Sequence, residues 1–276
     1  MPTPALSQLV LEYAGATDVG LRRANNEDAW WAGPLSSFAS DLISKGSGRL
    51  ELDAGAWLGV SDGLGGANAG EVASRIAVQE TQGLIADSRA EGHPIKIAHD
   101  ALLKSNKAIL RASCSNPQWG GMGATLSFLW IEGVRVVVGQ VGDSRIYRLR
   151  DDWLEELSVD HSPVGRLRQG GQLSETDARA HPGRHVIDQC LGGGDAGLAP
   201  DCDLTTIRAG DALLICSDGL NDGVQDAEIA GFLGAVSRGE MTLESAADGL
   251  VQRANHLSGR DNVTVIVARC VALDAK

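Results

Sequence analysis

The sequence predicts an α+β layered domain in which helices cover the outside of stacked sheets. Three observations lead there. Strand-like runs sit near both ends, "LVLEYAGATDVG" and "DNVTVIVARCV", the second rich in β-branched residues. Two pairs of segments carry apolar residues at helical spacing, one pair on each side of the middle of the chain. The middle reads as a β meander. Strands, a helix pair, strands, a helix pair and a strand make layered α+β packing the expected outcome.

The elements follow in order. "LVLEYAGATDVG" alternates apolar and polar residues and closes on a turn. "AWLGVSDG" opens with a short apolar run, as expected for a strand covered on both faces. Val72, Ala73, Ile76, Ala77 and Leu84 recur at helical spacing, as do Ile95, Ala98, Ala101, Leu102 and Ile109. "GATLSFLWIEG", "VRVVVGQVGDSRIYRLR" and "DDWLEELSV" supply the meander, with turns at "EGVR" and "LRDDW". Residues 161–185 are polar and rich in Gly and His, with room for one or two helical turns. A strand in "DALLICSDG", helical segments at Asp226–Val236 and Leu243–Leu257, and the closing strand complete the chain. About 30 residues separate "NED" from "SDG", long for a hairpin connection, and residues 33–56 there are expected to be decoration.

Composition narrows the function. At roughly 150 residues per domain, 276 residues allow one large domain or two small ones. No shift in composition marks a boundary, so a single domain over 1–276 is expected. A hydrophobic content of 43% excludes disorder. The net charge of −12 excludes nucleic acid and acidic membrane surfaces as partners at long range. Five cysteines without CxxC spacing argue against a disulfide framework or structural zinc. No apolar stretch approaches the ~18 residues of a membrane span, and the N-terminus lacks the form of a secretory signal. A cytoplasmic location is therefore expected.

Chemistry is concentrated in short acidic segments: "RANNED", "SDGLGG", "VGDSR", "SDGLNDG" and "GRDNVTV". A lone Asp in a Gly-rich turn needs no ligand, because Asx-turn hydrogen bonds explain it. Several such residues at strand ends are different. Carboxylates gathered at one end of a core raise each other's pKa, and a divalent cation relieves that cost. Ligands that are all oxygen suit Mg²⁺ or Mn²⁺ rather than zinc.

Taken in order, "RxxNED", "DGxGG", "MGATL", "VGDSR", "DHS", "LLICSDGL" and "DNVTV" resemble the metal-dependent PPM, or type 2C, Ser/Thr protein phosphatases in their bacterial form. The resemblance spans nearly the whole chain. It implies a central β-sandwich of two antiparallel sheets flanked by helix pairs, four layers in the order α-β-β-α. It also implies a two-metal centre of Mn²⁺ or Mg²⁺. Asp62 would bridge both ions, the Gly63 carbonyl would bind one, and Asp218 and Asp261 would bind the other. Glu27 and Asp28 would orient water. Arg23, rather than its neighbour Arg22, would grip the substrate phosphate, which suits its planar fork. Asp143 and Asp222 would serve a weaker third site. Two cations about 3.5–4 Å apart can lower the pKa of a shared water for in-line attack on phosphorus.

The implied reaction is hydrolysis of phosphoserine and phosphothreonine on proteins. The implied partners are phosphoprotein substrates and a cognate Ser/Thr kinase, with the chain itself a monomer. The alternative is a catalytically inactive phosphoprotein-binding module, which would need the loss of metal ligands, yet Asp62, Asp218 and Asp261 are present. A dedicated phosphatase of one regulator is a third reading, but such relatives usually carry sensor or membrane regions.

Three features depart from the family pattern, one of them the long connection over 33–56. Leu64 stands where some eukaryotic relatives have a histidine acid. That leaves water as the first candidate proton source, with His161 and His181 as alternatives expected to be loop-packing residues. Ala124 replaces a threonine. Residues 161–185 match the family's flap, a mobile element, and "QGGQ" fits low local stability. Cys216 is expected to pack in the core.

Overall fold

The structure is a computed structural model that describes residues 8–37, 45–64, 69–194 and 197–273. Among these residues two large antiparallel sheets face each other. The first contains β1 (Leu9–Asp18), β3 (Lys45–Glu51), β9 (Arg145–Arg150), β10 (Trp153–Glu156), β12 (Ala212–Cys216) and β13 (Val263–Ala272), in the order β10-β9-β12-β13-β1-β3. The second contains β2 (Ala29–Pro34), β4 (Ala56–Ser61), β7 (Leu126–Glu132), β8 (Arg135–Val141) and β11 (Asp201–Thr206), in the order β11-β8-β7-β4-β2. A short ribbon pairs β5 (Gly63–Leu64) with β6 (Gly123–Ala124).

Strand periodicity divides the apolar residues into three cores, because successive side chains point to opposite faces. Within β12, Leu213 and Ile215 point between the sheets, while Ala212, Leu214 and Cys216 point outward. Within β2, Trp30 enters the inter-sheet core and Trp31 the outer one. The outer face of the second sheet is covered by α1 (Gly70–Ser88) and α2 (Pro94–Ser115), through Ala73, Ala77, Ile85, Ala98, Leu102 and Ile109. There Trp57 lies 5.9 Å from Trp31 and stacks on Phe128 at 5.7 Å between ring centres. The outer face of the first sheet is covered by α6 (Asp226–Ser237) and α7 (Leu243–Leu257), through Ile229, Leu233, Leu250 and Ala254. Three cores between four layers give the α-β-β-α sandwich that the family resemblance implied. The two ends of the chain meet directly, Leu9 opposite Ala272 through Asp18 opposite Val263.

Two expectations are corrected. Residues 33–56 are not decoration: β3 pairs with β1 from Val10 opposite Glu51 to Ala16 opposite Lys45, and Leu35, Leu50 and Leu52 are buried. Residues 38–44 of that stretch lie outside the described residues. The 161–185 segment is tied down more firmly than its composition suggested. It forms α3 (Pro163–Gln169), capped by the Ser162 hydroxyl, and α4 (Glu175–Ala180), capped by Ser174. Arg168 holds Glu156 with bonds of 2.7 and 2.8 Å, and Arg179 donates to the carbonyls of Asn221 and Val224. Cys216 is fully buried, as expected.

Candidate metal centre

The strands deliver the acidic motifs to one end of the sandwich. Asp62 follows β4, and Asp28 directly precedes β2, which pairs with β4 there through Ala29 opposite Ser61. Asp218 follows β12 and begins the single turn α5 (Asp218–Asn221). Asp261 lies two residues before β13, whose Val265 faces Cys216 of β12. Asp143 lies in the turn between β8 and β9.

Each carboxylate is held by a backbone that another motif pins. The Asp62 amide donates to Thr125 Oγ1, and its carbonyl accepts from the Thr125 amide, both at 2.9 Å. Thr125 Oγ1 in turn bonds Ser144 Oγ at 2.8 Å, next to Asp143. Ser217 Oγ donates to Asp28 Oδ2 at 2.8 Å. The Asn262 side chain accepts from the Glu27 amide at 2.8 Å and donates to the carbonyls of Val19 and Asn25. It thereby fixes the "RANNED" loop beside Asp261.

The repeated "DG" has a steric cause. A Cβ on Gly63 would stand 2.3 Å from the Gly70 carbonyl oxygen and 2.5 Å from that of Glu27. A Cβ on Gly219 would stand 2.0 Å from the carbonyl oxygen of Asn262. After each Asp the chain passes so close to another backbone that only glycine fits.

The electrostatics are those of a crowded acid cluster. Burial pushes the Asp62 carboxyl well above its ordinary range, and the charges of Asp28, Asp218, Asp143 and Asp261 push it further. Asp218 is raised in the same way, by burial first and then by Asp143, Asp222 and Asp261; a hydrogen bond with Asp62 works against the shift. Burial raises Asp28 to about 6 against hydrogen bonds to Thr264 and Ser217. Burial raises Asp143 to about 7, with Asp160 adding and Arg145 opposing. Glu27 is raised by burial and by Glu71.

Among the described residues, Asp28 Oδ1 and Asp218 Oδ1 are buried without a hydrogen-bond partner. Buried anionic oxygens without donors are costly, and a cation supplies what they lack. No group of three or more His, Cys, Asp or Glu side chains among the described residues stands drawn in around a single metal position. The acids face one another without closing into a cage. Their all-oxygen chemistry and orphaned atoms still fit a hard divalent ion.

The other residues singled out from the sequence have these positions. Arg23 Nη2 donates to Asp261 Oδ2 at 2.6 Å. The Asp222 amide bonds the Asp218 carbonyl, and its carboxylate faces Arg184 of the flap at 3.6 Å. A cavity of about 60 Å³ between flap and cluster is lined by Asp143, Asp160, Arg179, Arg184, Asp218 and Asp222. Leu64 is half-buried in β5. His161 is buried, its Nδ1 accepting from the Gly142 amide at 3.3 Å and its Nε2 facing Asp201 at 3.1 Å. His181 Nδ1 accepts from the Gly183 amide. Both histidines are occupied in loop contacts.

Sequence reasoning missed Thr125, Ser144, Ser217, Asn262 and Thr264 as positioning groups. The shared serine before both "DG" pairs was the available signal for Ser217. It also missed Glu71 in the first turn of α1, whose Oε2 is buried without a partner among the described residues.

With this geometry in hand, similarity identifies the class. A family model described as Protein phosphatase 2C matches residues 48–252, and the chain belongs to that family. It is 35% identical over 267 residues to the serine/threonine protein phosphatase PstP of Mycobacterium tuberculosis, covering 96% of this chain and 46% of the relative. The chain thus spans about half the length of that relative. It is 34% identical over 215 residues to the serine/threonine phosphatase Stp of Listeria monocytogenes, covering 75% of this chain and 82% of that one. The crystal structure of the PstP catalytic domain in complex with two manganese ions superposes with a TM-score of 0.76 at 33% identity, covering 95% of this chain and 99% of the other.

Proposed function

We propose that this chain hydrolyses phosphoserine and phosphothreonine esters on proteins with the help of two divalent cations, Mn²⁺ or Mg²⁺. The observation that carries the reading is the convergence of Asp28, Asp62, Asp143 and Asp218 from four distant segments, all raised in pKa, with two oxygens left without donors. Membership of the protein phosphatase 2C family, and the two manganese ions in the PstP catalytic domain, support it.

Asp62, the Gly63 carbonyl, Asp218 and Asp261 would hold the two ions, with Glu27 and Asp28 beside them. Asp143 and Asp222 would serve a weaker third. When bound, the ions supply Lewis acidity that activates water and offsets the charge of the phosphoryl oxygens. The chain does the rest. Thr125 and Asn262 fix the backbones that aim Asp62 and Glu27, and Ser217 orients Asp28. Arg23 offers the phosphate a planar fork. With Leu64 unable to donate, and both nearby histidines engaged, the leaving oxygen takes its proton from water.

The substrates are phosphoproteins set by a cognate Ser/Thr kinase, and the protein acts as a monomeric single domain in the cytoplasm. No helix among the described residues is long and apolar enough to cross a membrane. One assay tests the reading: p-nitrophenyl phosphate with Mn²⁺, with and without EDTA. Chelator-sensitive turnover that disappears in Asp218→Asn supports the enzyme. Absence of turnover with any divalent ion supports a phosphoprotein-binding module instead.

A further inference from the structure

Asp261 has both of its carboxylate oxygens engaged. Oδ1 accepts the amide of Asn262 at 2.9 Å, a bond internal to the turn that enters β13. Oδ2 accepts Arg23 Nη2 at 2.6 Å, an ion pair across 238 residues of sequence. Two roles assigned to separate residues, ion binding and phosphate binding, therefore draw on one atom. A cation at Asp261 Oδ1 would share that oxygen with the Asn262 amide, whose side chain holds the Glu27 loop. A cation at Oδ2 would meet the guanidinium charge of Arg23 at 2.6 Å from that oxygen, and the two like charges repel. The side chain of Arg23 is 49% exposed and that of Asp261 25%, so this pair is the weaker of the two holds.

Displacement leaves the guanidinium where it can work. Glu27 and Asp62 attract its charge as well, so the guanidinium has acidic neighbours at the cluster besides Asp261. Its fork is then free for two phosphoryl oxygens.

We propose that Arg23 and a divalent cation exchange at Asp261 Oδ2, so that ion loading releases the arginine that binds phosphate. The protein would then grip a phosphoryl group through Arg23 only after the cation is in place. The two events form one ordered step rather than two independent ones. The idea rests on the proposed metal centre and adds its order of assembly.

The test follows the guanidinium itself. Mg²⁺ uptake by the whole chain is measured by calorimetry, while ¹⁵N NMR monitors solvent exchange at the arginine side chains. Arg145, buried against Asp160, is the internal reference. Saturating Mg²⁺ is expected to speed exchange at Arg23 and leave Arg145 unchanged. Arg23→Gln is expected to bind Mg²⁺ about three- to fivefold more tightly, the range of one partly exposed pair. Arg22→Gln, which removes an exposed charge next door, stays within about twofold of wild type. If Mg²⁺ binds while Arg23 remains protected, or if Arg22→Gln and Arg23→Gln shift affinity alike, the exchange is overturned and the metal centre stands. If the wild-type chain takes up no Mg²⁺, both fall together.

Discussion

Ser217 Oγ donates a 2.8 Å hydrogen bond to Asp28 Oδ2, joining the residue before the second "DG" to the last acid of "RANNED", 189 positions away. The same oxygen accepts the Thr264 amide at 3.0 Å, which ties the bond to the start of β13. Three motifs thus meet at one hydroxyl. Ser217→Ala removes it and leaves the Thr264 side chain alone to oppose the raised pKa of Asp28. Loss of such a supporting bond is expected to lower Mn²⁺ affinity or turnover by about 10- to 100-fold, measured by Mn²⁺ titration. Unchanged affinity would make Ser217 a packing residue only.

The glycine of the second "DG" makes a steric prediction. Gly219→Ala places a methyl 2.0 Å from the Asn262 carbonyl oxygen, so one of the two backbones must shift. It is expected to cost about 1–3 kcal/mol in urea unfolding, and to weaken ion binding because Asp218 and Asn262 shift with it. Gly121, with open space around it, is the control site for a substitution without a clash, although its φ of +79° adds backbone strain.

Two arginines should differ sharply. Arg145 is nearly buried and holds Asp160 with both Nε and Nη2, beside Glu156. Arg145→Ala leaves Asp160 and Glu156 to Arg168 alone and is expected to cost about 3–5 kcal/mol. Arg23→Ala breaks only a half-exposed pair and is expected to cost less than about 1 kcal/mol, while phosphate-ester hydrolysis falls. Urea unfolding of both variants, with p-nitrophenyl phosphate turnover of the second, checks the contrast.

The raised carboxylates make a pH prediction with a definite sign. A carboxyl whose folded pKa lies above its unfolded value gives stability that is present below the unfolded value and lost as pH rises through the folded one. For Asp143 that window runs from the ordinary aspartate value of 3.8 to about 7. In EDTA, Asp143→Asn should equal wild type near the bottom of the window. By pH 8 it should be more stable, by up to about 4 kcal/mol. Saturating Mn²⁺ should reverse the order, because the ion rewards the charge that the bare cluster penalises. Thermal unfolding across the range, with and without EDTA, measures this; a constant difference at all pH values would refute the electrostatic account.

Much of this could be read in one dimension. The apolar runs around Trp57–Val60 and Leu213–Cys216, the helical stripes of α1, α2, α6 and α7, and the acidic turns all rest on local pattern, where residues a few positions apart share a face. Strands β3 and β11 escaped for a physical reason. They lie at sheet edges, "KGSGRLE" is rich in glycine, and "DCDLTT" is half-exposed and polar, so neither carries the apolar signature of a covered strand. The flap misled in the opposite direction. Its composition looks loose, yet Arg168 and Arg179 anchor it to residues that only folding brings near.

By itself the sequence determined that helices cover stacked sheets, that acids end several strands beside glycine, and the all-oxygen character of that set, because periodicity and ligand chemistry belong to the residues themselves. The four-layer order and the role of each acid came with the family resemblance. Tertiary structure alone decided which backbone pins each acid, why glycine must follow Asp62 and Asp218, and that Arg23 rests on Asp261. Those depend on contacts between atoms hundreds of residues apart, whose distances no local pattern encodes.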